Sequence, residues 1–81
     1  MQMIIVYAGS SRRSCEQVKE LLSREGVPYT ARNVDEDDTA YDELVARGYR
    51  TIPVTVFGDQ AVKGFDVPAL TAAIAKWRAQ S

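Results

Sequence analysis

A chain of 81 residues makes one domain at most, because compact domains start near about 50 residues and two cores do not fit. With 46% apolar and 26% charged residues, 5 Gly and 3 Pro, the composition is that of a globular fold rather than a linker or a low-complexity segment. The absence of His excludes Ser-His and Cys-His nucleophile pairs and histidine metal sites, the single Cys excludes an internal disulfide or a multi-cysteine zinc site, and a net charge of −1 gives no field for nucleic acid.

Met3 to Ala8 is a continuous apolar run rich in β-branched residues, which reads as a strand buried on both faces in the middle of a parallel sheet. It is far shorter than the roughly 20 residues that span a bilayer and has neither the basic flank nor the cleavage site of a signal peptide. A cytoplasmic protein without a membrane partner is expected. Gly9-Ser10-Ser11 ends the strand. From Ser14 to Glu25 the apolar residues Cys15, Val18, Leu21 and Leu22 follow a helical period, and Gly26 and Pro28 mark the stop. Tyr29 to Val34 reads as a second strand. The acidic run Asp35 to Asp38 then precedes a helix whose buried stripe is expected to be Tyr41, Leu44 and Val45, closing at Gly48.

Thr51-Ile52-Pro53 leads into Val54–Phe57, and the turn Gly58-Asp59 joins it to Gln60–Lys63 as a β-hairpin. Asp66 is placed as an N-cap, with Pro68 in the first turn and Leu70, Ala73, Ile74 and Trp77 as the stripe of a last helix. The order is β-α-β-α-β-β-α over a single domain, residues 1–81. Helical connections imply parallel neighbours and the hairpin an antiparallel edge, so an α/β fold is expected, a mixed four-stranded sheet with helices on both faces.

This order, with Pro53 at a strand start and Gly64-Phe65 before the last helix, resembles the thioredoxin-like fold in its smallest form, the glutaredoxins. The resemblance runs through Ile4-Ile5-Val6-Tyr7, Gly26-Val27-Pro28-Tyr29, Gly48-Tyr49-Arg50-Thr51-Ile52-Pro53-Val54 and Lys63-Gly64-Phe65. Gly-Phe in place of the Gly-Gly of glutathione-binding members leans toward the NrdH-type redoxin branch. The resemblance implies thiol–disulfide exchange by a Cys-x-x-Cys at the start of the first helix, with a cis proline facing it. It implies no cofactor, and its partners are a thiol–disulfide protein, thioredoxin reductase or glutathione.

The sequence departs from this pattern where the chemistry lies. Counting from Tyr7, the first Cys position holds Arg12, the next two hold Arg13 and Ser14, and the second Cys position holds Cys15. One thiol cannot both attack a disulfide and displace the mixed disulfide that results, so at most monothiol activity at Cys15 is expected. A helix start beside two arginines favours a reactive thiolate, whereas a place on the apolar stripe makes Cys15 an inert buried residue; both readings stay open. Arginines in a first helical turn oppose the macrodipole. Arg12 and Arg13 are therefore either solvated charges or, with Ser11, part of a site for a small anion or an anionic peptide. The candidate groove comprises Ser11, Arg12, Arg13, Thr51, Ile52, Pro53, Gly64 and Phe65. A protein that binds without catalysis is the alternative to a redox protein. The acidic run reads as a helix cap, and no metal site is expected.

Overall fold

The computed structural model describes residues 3–80. Its elements are β1 (Ile4–Ala8), α1 (Arg13–Arg24), β2 (Thr30–Asn33), α2 (Asp38–Ala46), β3 (Val54–Phe57), β4 (Gln60–Lys63) and α3 (Val67–Ala79). They form one four-stranded sheet in the order β2-β1-β3-β4. Among the described residues no helix is long and apolar enough to cross a membrane.

β1 is central, as its unbroken apolar run implies, but its two neighbours differ in direction. It pairs in parallel with β2, from Ile5↔Thr30 to Ala8↔Asn33, and antiparallel with β3, from Ile4↔Phe57 to Tyr7↔Val54. The expectation that both helical connections give parallel pairs therefore holds for α1 and fails for α2. The physical reason lies in the return segment: Gly48–Pro53 brings the chain back to the end of the sheet where β2 stops, so β3 starts there and runs the other way. A Schellman motif begins that return, with Tyr49 N–H donating to the Leu44 carbonyl at 3.2 Å and Gly48 N–H to that of Val45 at 2.9 Å. Gly48 takes φ +91°, a left-handed conformation that costs glycine nothing and a side-chain-bearing residue about 1 to 2 kcal/mol. α1 ends in the same way, with Val27 N–H on the Leu22 carbonyl at 2.9 Å.

Alternation along the strands divides the core in two. On one face Ile4, Val6 and Ala8 of β1, Phe57 of β3 and Val62 of β4 pack with Cys15, Val18 and Leu22 of α1 and with Leu70, Ile74 and Trp77 of α3. On the other, Tyr7, Val54 and Val56 pack with Leu44 of α2, and Ile5 and Tyr49 lie against them. Each large aliphatic side chain so buried contributes about 1.5 to 3 kcal/mol, which has to hold a small fold that contains no disulfide. Tyr7 is buried because its hydroxyl finds a partner, donating to Glu43 Oε1 at 2.9 Å. Glu43 in turn accepts from Arg32 at 2.7 Å.

α2 corrects the expected stripe. Tyr41 is 45% exposed, and the buried pair is Ala40 and Leu44, with Val45 half-buried. The helix turns Ala40 and Leu44 inward and leaves the Tyr41 ring partly exposed. The acidic run does serve as a cap, through Asp37, which accepts from Thr39 N–H at 2.9 Å and Ala40 N–H at 3.4 Å. Asp66 caps α3 likewise, accepting from Ala69 N–H at 3.1 Å.

Candidate functional site

The strand registers gather the β1–α1, β2–α2 and α2–β3 loops at one end of the sheet, where Ala8 faces Asn33 and Tyr7 faces Val54. Between these loops lies a cleft of about 340 Å³. Arg12 comes to it from the first loop, Asp35 from the second, Tyr41 from α2, and Arg50, Thr51 and Ile52 from the third. Its apolar part is continuous with the α2 side of the core through Leu44.

The first loop is held to the second by polar contacts. Ser10 N–H donates to Asp35 Oδ2 at 2.9 Å, and its hydroxyl donates to Glu36 Oε2 at 3.4 Å while accepting from Asn33 Nδ2 at 3.2 Å. Asn33 Oδ1 accepts from the Asp35 N–H at 2.9 Å, fixing the turn that presents the carboxylate. Gly9 lies at the centre of this convergence. A Cβ built there would stand 2.5 Å from Ile52 Cδ1, 2.6 Å from Asp35 Oδ2 and 3.2 Å from Arg12 Nε, so three cleft residues close over a bare backbone that another residue would push away.

Arg12 is the N-cap of α1, in extended conformation and without a side-chain cap hydrogen bond. It is exposed, as are Ser11 and Arg13, and Ser11 has φ +56°. Cys15, in the first turn of the same helix, is 0% exposed and lies in the core between the sheet, α1 and α3. The Ile52–Pro53 bond is cis, and Pro53 is buried behind Ile52. The Pro53 carbonyl accepts from Gly64 N–H at 2.8 Å, which ties the last loop to the cleft wall. Thr51 and Ile52, by contrast, take part in no backbone hydrogen bond among the described residues.

The residues singled out from the sequence thus divide. Arg12, Thr51 and Ile52 meet in the cleft; Ser11 and Arg13, the chain neighbours of Arg12, are exposed and do not line it; Pro53 is buried and bonded to Gly64 next to Ile52; Phe65 packs on the α1/α3 side of the core. Sequence reasoning missed Gly9, Asp35, Tyr41 and Arg50 as parts of the site. Arg50 precedes Thr51-Ile52-Pro53 directly and was open to the same reading; Asp35 was absorbed into the helix cap, and Tyr41 into the core.

This architecture has known relatives. The glutaredoxin family model matches residues 4–62. The glutaredoxin-like protein NrdH of Escherichia coli K12 is 31% identical over 62 residues, 76% of each chain. Among solved structures, the thioredoxin-like protein BC3987 superposes with a TM-score of 0.82 at 28% identity over 86% of this chain and 97% of its own. The NrdH-redoxin of Escherichia coli does so with 0.79 at 27% identity, over 86% and 92%. The chain belongs to the glutaredoxin family. Its relatives place it with the NrdH-like redox proteins of that family, whose members imply partners of the thiol–disulfide class.

Proposed function

We propose that this chain uses the redoxin cleft to bind a partner and does not carry out dithiol exchange. The observation that carries this reading is the burial of Cys15, 0% exposed, while the mouth of the cleft holds Arg12. A dithiol cycle needs an attacking thiolate within reach of solvent and a second one to release the mixed disulfide. The position that the family resemblance gives to the attacking thiol carries a guanidinium instead. The free backbone of Thr51 and Ile52 offers donors and acceptors to an extended chain, in the manner of strand addition. Ser11 and Arg13 widen the polar mouth, and Pro53, Gly64 and Phe65 shape the wall behind it. A partner of the thiol–disulfide class, such as thioredoxin reductase or glutathione, would be held there rather than turned over.

Monothiol exchange at Cys15 is the second reading. What favours it is the place of Cys15 in the first turn of α1, where fraying of a helix start without a side-chain cap would bring Sγ toward solvent. The two readings separate in an assay of disulfide reduction coupled to thioredoxin reductase, and in parallel to glutathione and its reductase. The wild type is expected to stay at the background set by Cys15→Ala. Turnover that Cys15→Ala abolishes would overturn the binding reading in favour of monothiol chemistry.

A further inference from the structure

Apolar packing holds α2 to the sheet less firmly than it holds the other helices. α1 buries Cys15, Val18, Leu21 and Leu22 and α3 buries Leu70, Ala73, Ile74 and Trp77, whereas α2 buries Ala40 and Leu44, of which only Leu44 joins the core on its face. A helix of 9 residues is not stable by itself. An open recess of about 360 Å³ beside Ile5, Tyr7, Glu43, Ala46 and Arg47 leaves the packing incomplete on one side. A polar link makes up for it. Tyr7 and Arg32 are partners in the β1–β2 register, and each donates to a different oxygen of one α2 carboxylate, the Tyr7 hydroxyl to Glu43 Oε1 at 2.9 Å and Arg32 Nη2 to Oε2 at 2.7 Å. Arg32 Nη1 also lies 3.6 Å from Oδ2 of Asp37, the N-cap, so one side chain of β2 reaches both the start and the middle of the helix. The ion pairs are partly exposed and weak. The Tyr7 bond is stronger, because the residue is 1% exposed and its acceptor is a carboxylate.

The same helix makes one wall of the cleft. Tyr41 and Leu44 line it, and the chain that leaves α2 supplies Arg50, Thr51 and Ile52, while Tyr7, Arg32 and Glu43 line no part of it. We propose that Tyr7, Glu43 and Arg32 are positioning residues, which fix where α2 stands on the sheet and thereby the width of the cleft at Tyr41 and the affinity with which it holds a partner. This rests on the cleft being a binding site. Without the Tyr7 hydroxyl the helix keeps Ala40, Leu44 and the weak pairs at its exposed edge, and the share of molecules with the wall in its binding position falls. Apparent affinity falls with that share, although no atom that meets the partner has changed.

The test compares the binding of Escherichia coli thioredoxin reductase, and in parallel of glutathione, to the wild type, Tyr7→Phe, Glu43→Ala and the double variant. Val62→Ala, a core change on the other face of the sheet, controls for lost stability. All are measured where urea unfolding shows them fully folded. Tyr7→Phe, which removes one hydroxyl, is expected to bind about fivefold more weakly and to displace the Tyr41 and Thr51 amide resonances, whereas Val62→Ala binds as the wild type does. Glu43→Ala is expected to weaken binding about tenfold and the double variant no further, because both changes break the same bond. Unchanged binding with unmoved resonances in Tyr7→Phe, losses that add in the double variant, or an equal loss in Val62→Ala would overturn the positioning role and leave the cleft as a binding site. If the wild type binds neither probe, the binding reading fails and the resonances alone decide the link: displaced at Tyr41 and Thr51 they sustain its hold on α2, and unmoved they overturn it.

Discussion

Arg12 and Cys15 stand three positions apart at the start of α1 yet face opposite media, the guanidinium lining an open cleft and the thiol sealed in the core. The helix start sorts them: Arg12 has the extended backbone of an N-cap and projects from the loop, while Cys15 falls on the stripe with Val18 and Leu22 that packs on the sheet. A cysteine placed at position 12 would meet solvent and still lie one turn from Cys15. Arg12→Cys is therefore expected to form a disulfide with Cys15 under mild oxidation, since Cα atoms at such spacing fall within the limit of about 7 Å for bridging. Intact mass after alkylation, with and without reductant, counts the thiols. Two alkylated thiols in the oxidised sample would show that the β1–α1 loop holds its side chains apart.

Thr55 is 0% exposed, and its hydroxyl has no hydrogen-bond partner among the described residues. It stands opposite Val6 and Val62 in the sheet, on the face covered by α1 and α3. A buried hydroxyl without a partner costs about 1 to 3 kcal/mol, so Thr55→Val, which keeps the shape, is expected to raise stability by about 1 kcal/mol. For a domain of this size that is a rise in Tm of about 4 to 8 °C. A fall in Tm would mean that the hydroxyl is satisfied in solution by a bond absent here.

Asp37 both caps α2 and approaches Arg32 at 3.6 Å. The two roles come apart in substitution. Asp37→Ala is expected to cost about 1 kcal/mol in urea unfolding, whereas Asp37→Asn keeps the cap and loses at most a few tenths, because the half-exposed ion pair is weak. Equal losses in both variants would assign the stability to the charge rather than to the cap.

Where the pattern in the sequence was strong, it read correctly. The stripes of α1 and α3 and the turn at Gly58-Asp59 are short-range signals, and each element lies within a residue or two of its expected bounds. α2 was misread because Ala40 is a weak hydrophobic marker and Tyr41 a strong one, although the helix buries the former. The direction of β3 was not legible, since it depends on how Gly48–Pro53 returns across the end of the sheet and not on any periodicity. The cleft was half legible. Arg12, Thr51 and Ile52 follow from the family pattern, whereas Asp35, Tyr41 and Arg50 become neighbours of Arg12 only when three separate loops meet at one end of the sheet.

The claim that Cys15 is withdrawn from the chemistry of the cleft is tested most directly by the rate at which iodoacetamide labels it in the native protein and in denaturant. The account predicts native labelling at least about a hundredfold slower than in the unfolded chain, limited by opening of the core around α1. Native labelling within a few-fold of the unfolded rate would contradict it, by showing the thiol open to a disulfide partner in the folded state.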